Sequence, residues 1–290
     1  MSTDQQKSRF LLVFFLLSTL LLPGCSSIIQ SAANGMARDM STAMLNHNDL
    51  ATVRDAAPAY LLLTDSMVAS DPDDAESNRV AASLYGAYTG VFVEDSDRVR
   101  RLSQRAFDYA LRAACLHAPQ ACTVRKMDFQ SFTGFLQQQD VGDVPILYTL
   151  GASWAGWIQA NSEDWNAVAE LPRVTAIMQR VVELDETYQH GTAHLYLGVI
   201  HTLLPPSAGG KPRLARKHFA RAIEISNGRN LTARLLYATR YAKMMFDRDL
   251  HDRLLREVIE ADPVAPDMTL LNMLARKQAR QALAEADDYF

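Results

Sequence analysis

The sequence predicts an all-α protein built as a stack of helical hairpins. Two observations predict it. From His190 to Ser226 the chain reads as helix, Pro/Gly loop, helix: Ala193, Leu197 and Ile200 share one face, then Ala215, Phe219, Ala222, Ile223 and Ser226 form a second apolar stripe. Those spacings place side chains on one side of a helix and on both sides of a strand. Secondly, SMVASDP at 66–72, RVVELDE at 180–186, RAIEISN at 221–227 and EVIEADP at 257–263 are similar helix ends. A hairpin with one apolar face is stable when another stacks on it, so recurring hairpins imply a repeat-built body. With 290 residues, 48% of them hydrophobic, the chain has enough apolar surface for a core.

The first 24 residues stand apart. A short polar start precedes Phe10 to Leu22, an apolar run of 13 residues broken by Ser18 and Thr19. That is too short for a hydrocarbon core that needs about 20 residues, and suits the central region of a signal peptide. The run ends in LLPGCSS, which resembles a bacterial lipobox, with a small residue before the lipid-accepting Cys25. Pro23, two before the cysteine, departs from the usual small residue there. The expected organisation is therefore 1–24 as a lipoprotein signal peptide, 25–45 as lipidated N-terminus, tether and first helix, and 46–290 as one all-helical domain. Ser26 after the cysteine implies, by that resemblance, sorting to the outer membrane, and several acyl chains make a durable anchor where one is marginal. The net charge is −4, and becomes −5 once Asp4, Lys7 and Arg9 leave with the signal. With no basic stripe, nucleic-acid binding is not expected.

In chain order, Met36, Met40 and Met44 stand four apart and suggest a first helix. Leu50 to Ala69 is the next, and Asp71 with Pro72 reads as the cap and first turn of a third. That third helix sets Val80, Leu84, Ala87, Tyr88 and Val91 on one side, with Ala81, Ala82, Gly86 and Gly90 allowing close crossing. Val99 to Ala113 carries a stripe to Cys115. Cys115 and Cys122 enclose LHAPQA, where Pro119 ends a helix. In an oxidising compartment the two form either a local disulfide at a helix corner, the expected state, or two buried thiols. Phe129, Phe132, Phe135 and Leu136 give a short aromatic helix. A turn at 142–145 then leads into the apolar stretch to Ala160 with Trp154 and Trp157. Leu171-Pro172 opens a helix with Val174, Ile177, Met178, Val181 and Val182 inward. After the central hairpin, Asn230, Asp249 and Asp267 are read as caps of the last three helices.

Taking Asp71, Asp185, Ser226 and Asp262 as reference points, the similar helix ends recur at intervals of 114, 41 and 36, and the first can hold three units. These lie near the tetratricopeptide period, and Ala215-x3-Phe219 matches part of its signature. The expectation is degenerate tetratricopeptide-like hairpins, with inserted non-repeat helices around the tryptophans.

From Trp154 onward, WAGWIQANSEDWNAVAELPRVTAIMQRVVELDETYQHGTAHLYLGVIHTLLP, PSAGGKPRLARKHFARAIEISNGRNL and YATRYAKMMFDRDLHDRLLREVIEADP resemble the TatT family, the T component found with some tripartite ATP-independent periplasmic (TRAP) transporters. The resemblance spans 145–290, and 45–144 more weakly. It implies an all-helical lipoprotein, a homotrimer with a channel or cleft through each protomer, docking to the periplasmic solute-binding P component, and a small organic-acid or apolar solute. The alternative is a helical scaffold for protein assembly with no solute role.

Candidate site residues follow. Trp154 and Trp157, one turn apart with Asn161 four further on, either line a ligand cleft or fill a seam between helices. Arg173 has the fork to hold a carboxylate, or else joins Asp164 and Arg180 in structural pairing. His190 and His194, with Glu186 four earlier and His201 seven later, either line the same cleft or sit between helices. The spacing of Glu186, His190 and His194 permits zinc but lacks the H-E-x-x-H form, so no metal and no other cofactor is expected. Pro206, Gly209 and Gly210 lie in a loop read as a partner-facing rim. No nucleophile with a base, no paired carboxylates in a cleft and no dinucleotide fingerprint can be assigned, so the protein is not expected to be an enzyme.

Overall fold

Apolar residues three and four apart, separated by short turns rich in Asp, Pro and Gly, fold into α-helices joined by tight corners, and no strand forms among the described residues. The computed structural model describes residues 39–290 together with Gly35. The signal segment, Cys25, the tether and Met36 lie outside the described residues. Residues 39–45 are helical. The helices that follow are α1 (Leu50–Ser70), α2 (Ala75–Phe92), α3 (Ser96–His117), α4 (Phe129–Gln137), α5 (Val144–Ala160), α6 (Trp165–Val168), α7 (Leu171–Asp185), α8 (Tyr188–Ile200), α9 (Pro212–Ile225), α10 (Leu231–Leu236), α11 (Arg248–Glu260), α12 (Thr269–Ala284) and α13 (Ala286–Tyr289). A π-helical segment, Tyr237–Ala242, continues α10.

Each long helix packs on the one before it: α1 on α2, α2 on α3, α3 on α5, α5 on α7, α7 on α8, α8 on α9, with α10, α11 and α12 closing the series. From Ala43 to Phe290 the chain is one compact unit. Its largest core gathers Phe107, Phe132, Leu150, Trp154, Ile177, Met178 and Leu197. A second forms around Phe219, Leu231, Leu254 and Leu255. Gly198 of α8 faces the Phe219 ring of α9, and a Cβ there would stand 2.8 Å from it. Gly198 thus lets α8 and α9 approach closely. Among the described residues no helix is long and apolar enough to cross a membrane.

The helix starts differ from expectation in instructive ways. Asp71 is the C-cap of α1, whereas Asp74 caps α2 by accepting from the backbone N–H groups of Glu76 and Ser77. Likewise Asp247, two residues before Asp249, caps α11 through Leu250 N–H. Asn230 makes no cap bond; Leu231 N–H donates instead to Asn272 Oδ1 of α12 at 2.9 Å. Asp267 exchanges hydrogen bonds with Asn46, 221 residues earlier, instead of capping α12. The buried face of α2 is also rotated from the expected stripe and holds Ser77, Asn78, Ala81, Ala82, Tyr85, Tyr88 and Thr89. Small residues bring the backbone close there, but among the described residues nothing lies within 4 Å of a Cβ built on Gly86 or Gly90. Cys115 and Cys122 are joined in a disulfide, with Cα atoms 4.3 Å apart, at the corner after α3.

Candidate functional site

Trp154 sits fully inside the first core, and Phe107 and Phe132 pack on it at 5.1 and 6.3 Å between ring centres. Its indole N–H donates to Glu170 Oε2 at 2.7 Å, and Glu170 also takes Nε and Nη2 of Arg125. The Trp157 N–H donates to Gln104 Oε1 at 2.6 Å, and the Arg125 guanidinium lies 4.4 Å from the centre of that ring. Asn161 ends α5 by donating to Trp157 O. This arrangement has every polar handle of the pair satisfied inside the protein, which is the seam-filling arrangement. Arg173 is spent similarly. Its Nη2 donates to Met127 O and Nη1 to Val124 O, and its guanidinium lies over Phe132, so it ties α7 to the corner before α4.

The loop after α8 builds an open groove instead. A cavity of about 440 Å³ is lined by Phe129, Leu171, Pro172, Thr175, Ala176 and Gln179 on one side, and by Ile200, His201, Leu203, Leu204 and Gly209 to Lys211 on the other. The loop folds on itself, with Gly210 N–H donating to Pro205 O and Lys211 N–H to His201 O. Gly210 is required: a Cβ there would meet Leu204 O at 1.9 Å. Pro206 begins an exposed 3-10 turn of the same loop. His201, Gly209 and Gly210, named separately from sequence, thus converge on one groove. Phe129, Leu203 and Leu204 border it about half exposed, at 50%, 50% and 54%.

His190 is not part of that assembly. Gln189, His190 and Gly191 all have positive φ, so the backbone turns before α8 proper begins, and the expected face shared by Glu186, His190 and His194 is broken. His190 is half-buried at this turn. His194 instead meets His218 of α9, Nδ1 to Nδ1 at 2.8 Å, and Glu186 at 3.3 Å. His201 stacks on His218 with ring centres 5.7 Å apart. Sequence reading missed His218 because it lies across the hairpin; its place three before Arg221, on the α9 face turned to α8, was the available signal. Hydrogen bonds from Arg221 and His194 hold the Glu186 carboxyl down to about 2 against its desolvation. Burial lowers His194 and His201, and burial with the two neighbouring rings lowers His218 to about 4. Among the described residues no group of three or more His, Cys, Asp or Glu side chains is arranged to hold a metal ion.

A second open groove, about 620 Å³, runs beside the π segment between Arg216, Arg234, Tyr237, Tyr241, Arg253 and Glu257. It is polar, and Arg234 and Arg253 both donate to Glu257 within it.

The described residues form an all-α stack of packed helices with open surface grooves, and the Trp154 and Trp157 indoles are enclosed within it. The TRAP transporter T-component family model matches residues 46–290, and the chain belongs to that family. It is therefore a component of TRAP transport. A comparison with curated proteins finds no match for the chain.

Proposed function

We propose that the protein is a tethered docking body of a TRAP system, which holds the periplasmic solute-binding P component at the groove between α7 and the loop at 201–211. The observation that carries this reading is the half-exposed apolar border of Phe129, Leu203 and Leu204 around a groove whose rim is stiffened by its own hydrogen bonds. Exposed apolar side chains clustered around a concavity favour partner contact. A rim that is already ordered loses little entropy on docking. In the same reading Cys25 carries the lipid that fastens the protein to the periplasmic side of the outer membrane, and three copies assemble. The hairpins act as tetratricopeptide-like units, and the groove, not the enclosed indoles, is the passage offered to a small organic-acid or apolar solute. Tethering raises the local concentration of partner and ligand without any bond making.

The test is direct binding of the cognate solute-binding protein to the chain with Cys25 replaced, with and without candidate acids. Leu203→Glu combined with Leu204→Glu is expected to weaken association by about tenfold or more, the scale of losing one anchor residue. Unchanged affinity in a folded variant removes this groove from the interface, and no association with wild type under either condition ends the docking reading. Association that ignores every solute leaves a scaffold and removes the passage.

A further inference from the structure

Three of the seven histidines are gathered where α8 crosses α9, and the hydrogen-bond rules leave them little freedom. Glu186 carboxylate oxygens only accept, so His194 Nε2 carries a hydrogen towards Glu186 Oε2. Neutral His194 then accepts at Nδ1, and the facing His218 Nδ1, 2.8 Å away, donates. One added proton can be absorbed by changing the His218 tautomer, leaving a His194 cation beside Glu186. A second sets two donors head to head. His201, stacked on His218 and 7% exposed, has its Nε2 buried with no partner among the described residues, so a proton there gains no acceptor from them. The other charges facing the cluster are Arg221 and Lys217 from α9 and Lys211 from the loop, all cationic. Arg221 is already bound to Glu186 and Glu224.

The same histidines reach the groove. His201 lines it, and the His201 carbonyl accepts from Lys211 N–H at 3.0 Å, closing the 201–211 loop. We propose that His194, His201 and His218 form an acid-sensitive latch, whose neutral rings hold α8 on α9 and whose protonation loosens that contact and the groove rim hung from it. The latch does not depend on what docks at the rim. Burial holds all three rings below the ordinary histidine value of 6.5, with His218 lowest at about 4. An unfolded or opened chain therefore binds protons more readily than the closed one. The stabilising contribution is complete above about 6.5 and is lost as pH falls towards about 4. Glu186, held near 2, stays charged through that window and favours the first proton on His194, so the acid loss belongs to the later protons.

The test follows the imidazole resonances and the Lys211 amide of the full chain from pH 8 to 4, in EDTA so that no metal competes with protons. The expected result is a His218 midpoint well below 6.5 and a fall in Lys211 amide protection, corrected for intrinsic exchange, as pH drops below about 6. His218→Phe should make the Tm decline over that window shallower than in wild type, with His194 and His201 supplying what remains. A His218 midpoint at or above 6.5, or parallel Tm decline in wild type and His218→Phe, overturns the latch. Should His218→Phe fail to fold, the wild-type titration decides alone.

Discussion

Glu170 shows how single residues divide structure from function in this protein. One carboxylate receives two nitrogens of Arg125 and the indole N–H of Trp154, so three side chains from three separate stretches close over the core together. Glu170→Ala leaves the Trp154 N–H buried with no acceptor, which costs about 1–3 kcal/mol. Urea unfolding is expected to show that loss while binding of the solute-binding protein is unchanged. Impaired binding at full stability would return the tryptophan pair to the functional site. The sequence makes Trp154 and Trp157 conspicuous, because indoles one turn apart on an apolar helix suit a ligand and a core equally well. Spacing along one helix cannot reveal that the acceptors are Glu170 and Gln104, the latter 53 residues earlier. The loop was more legible, since Gly209 and Gly210 among prolines declare a special backbone whatever the tertiary context.

At the scale of elements, helical periodicity located the long helices, because an apolar stripe must face a neighbour wherever that neighbour stands. Helix starts were read less well, since a cap is any acceptor that reaches the open N–H groups, and it need not be local. Asn272 is the clearest case. From the first turn of α12, fully buried, it accepts from Leu231 N–H and donates to Arg229 O and Pro263 O at 2.9 and 3.1 Å. It thus supplies the cap that Asn230 does not, and fastens α12 to two turns at once. Asn272→Ala strands one donor and two acceptors, and a loss on the order of 2–4 kcal/mol is expected by chemical denaturation. Asn230→Ala, with no cap bond to lose, should cost under about 1 kcal/mol. If the two substitutions cost the same, the remote cap is not what orders this corner.

Across the whole molecule, α8 is the member that the two large cores share. Ala193 and Leu197 belong to the first core with Tyr196 and Ile200 against it, while Leu195 enters the second and Val199 packs there. Stacked hairpins contact chiefly their neighbours, so the two halves of such a body unfold together only as far as the shared layer couples them. Leu197 is fully buried, and Leu197→Ala removes its contacts with the first core at a cost of about 2–5 kcal/mol. Because α8 also carries Leu195, the loosened helix should transmit the loss. Amide exchange is expected to quicken in α5 and α7 on one side and in α9 and α10 on the other. Quickening confined to α5 and α7 would show that the second core holds α8 without help from the first. In that case the groove rim would be fastened by α9 alone, and the histidine contact between α8 and α9 would be the principal control on it.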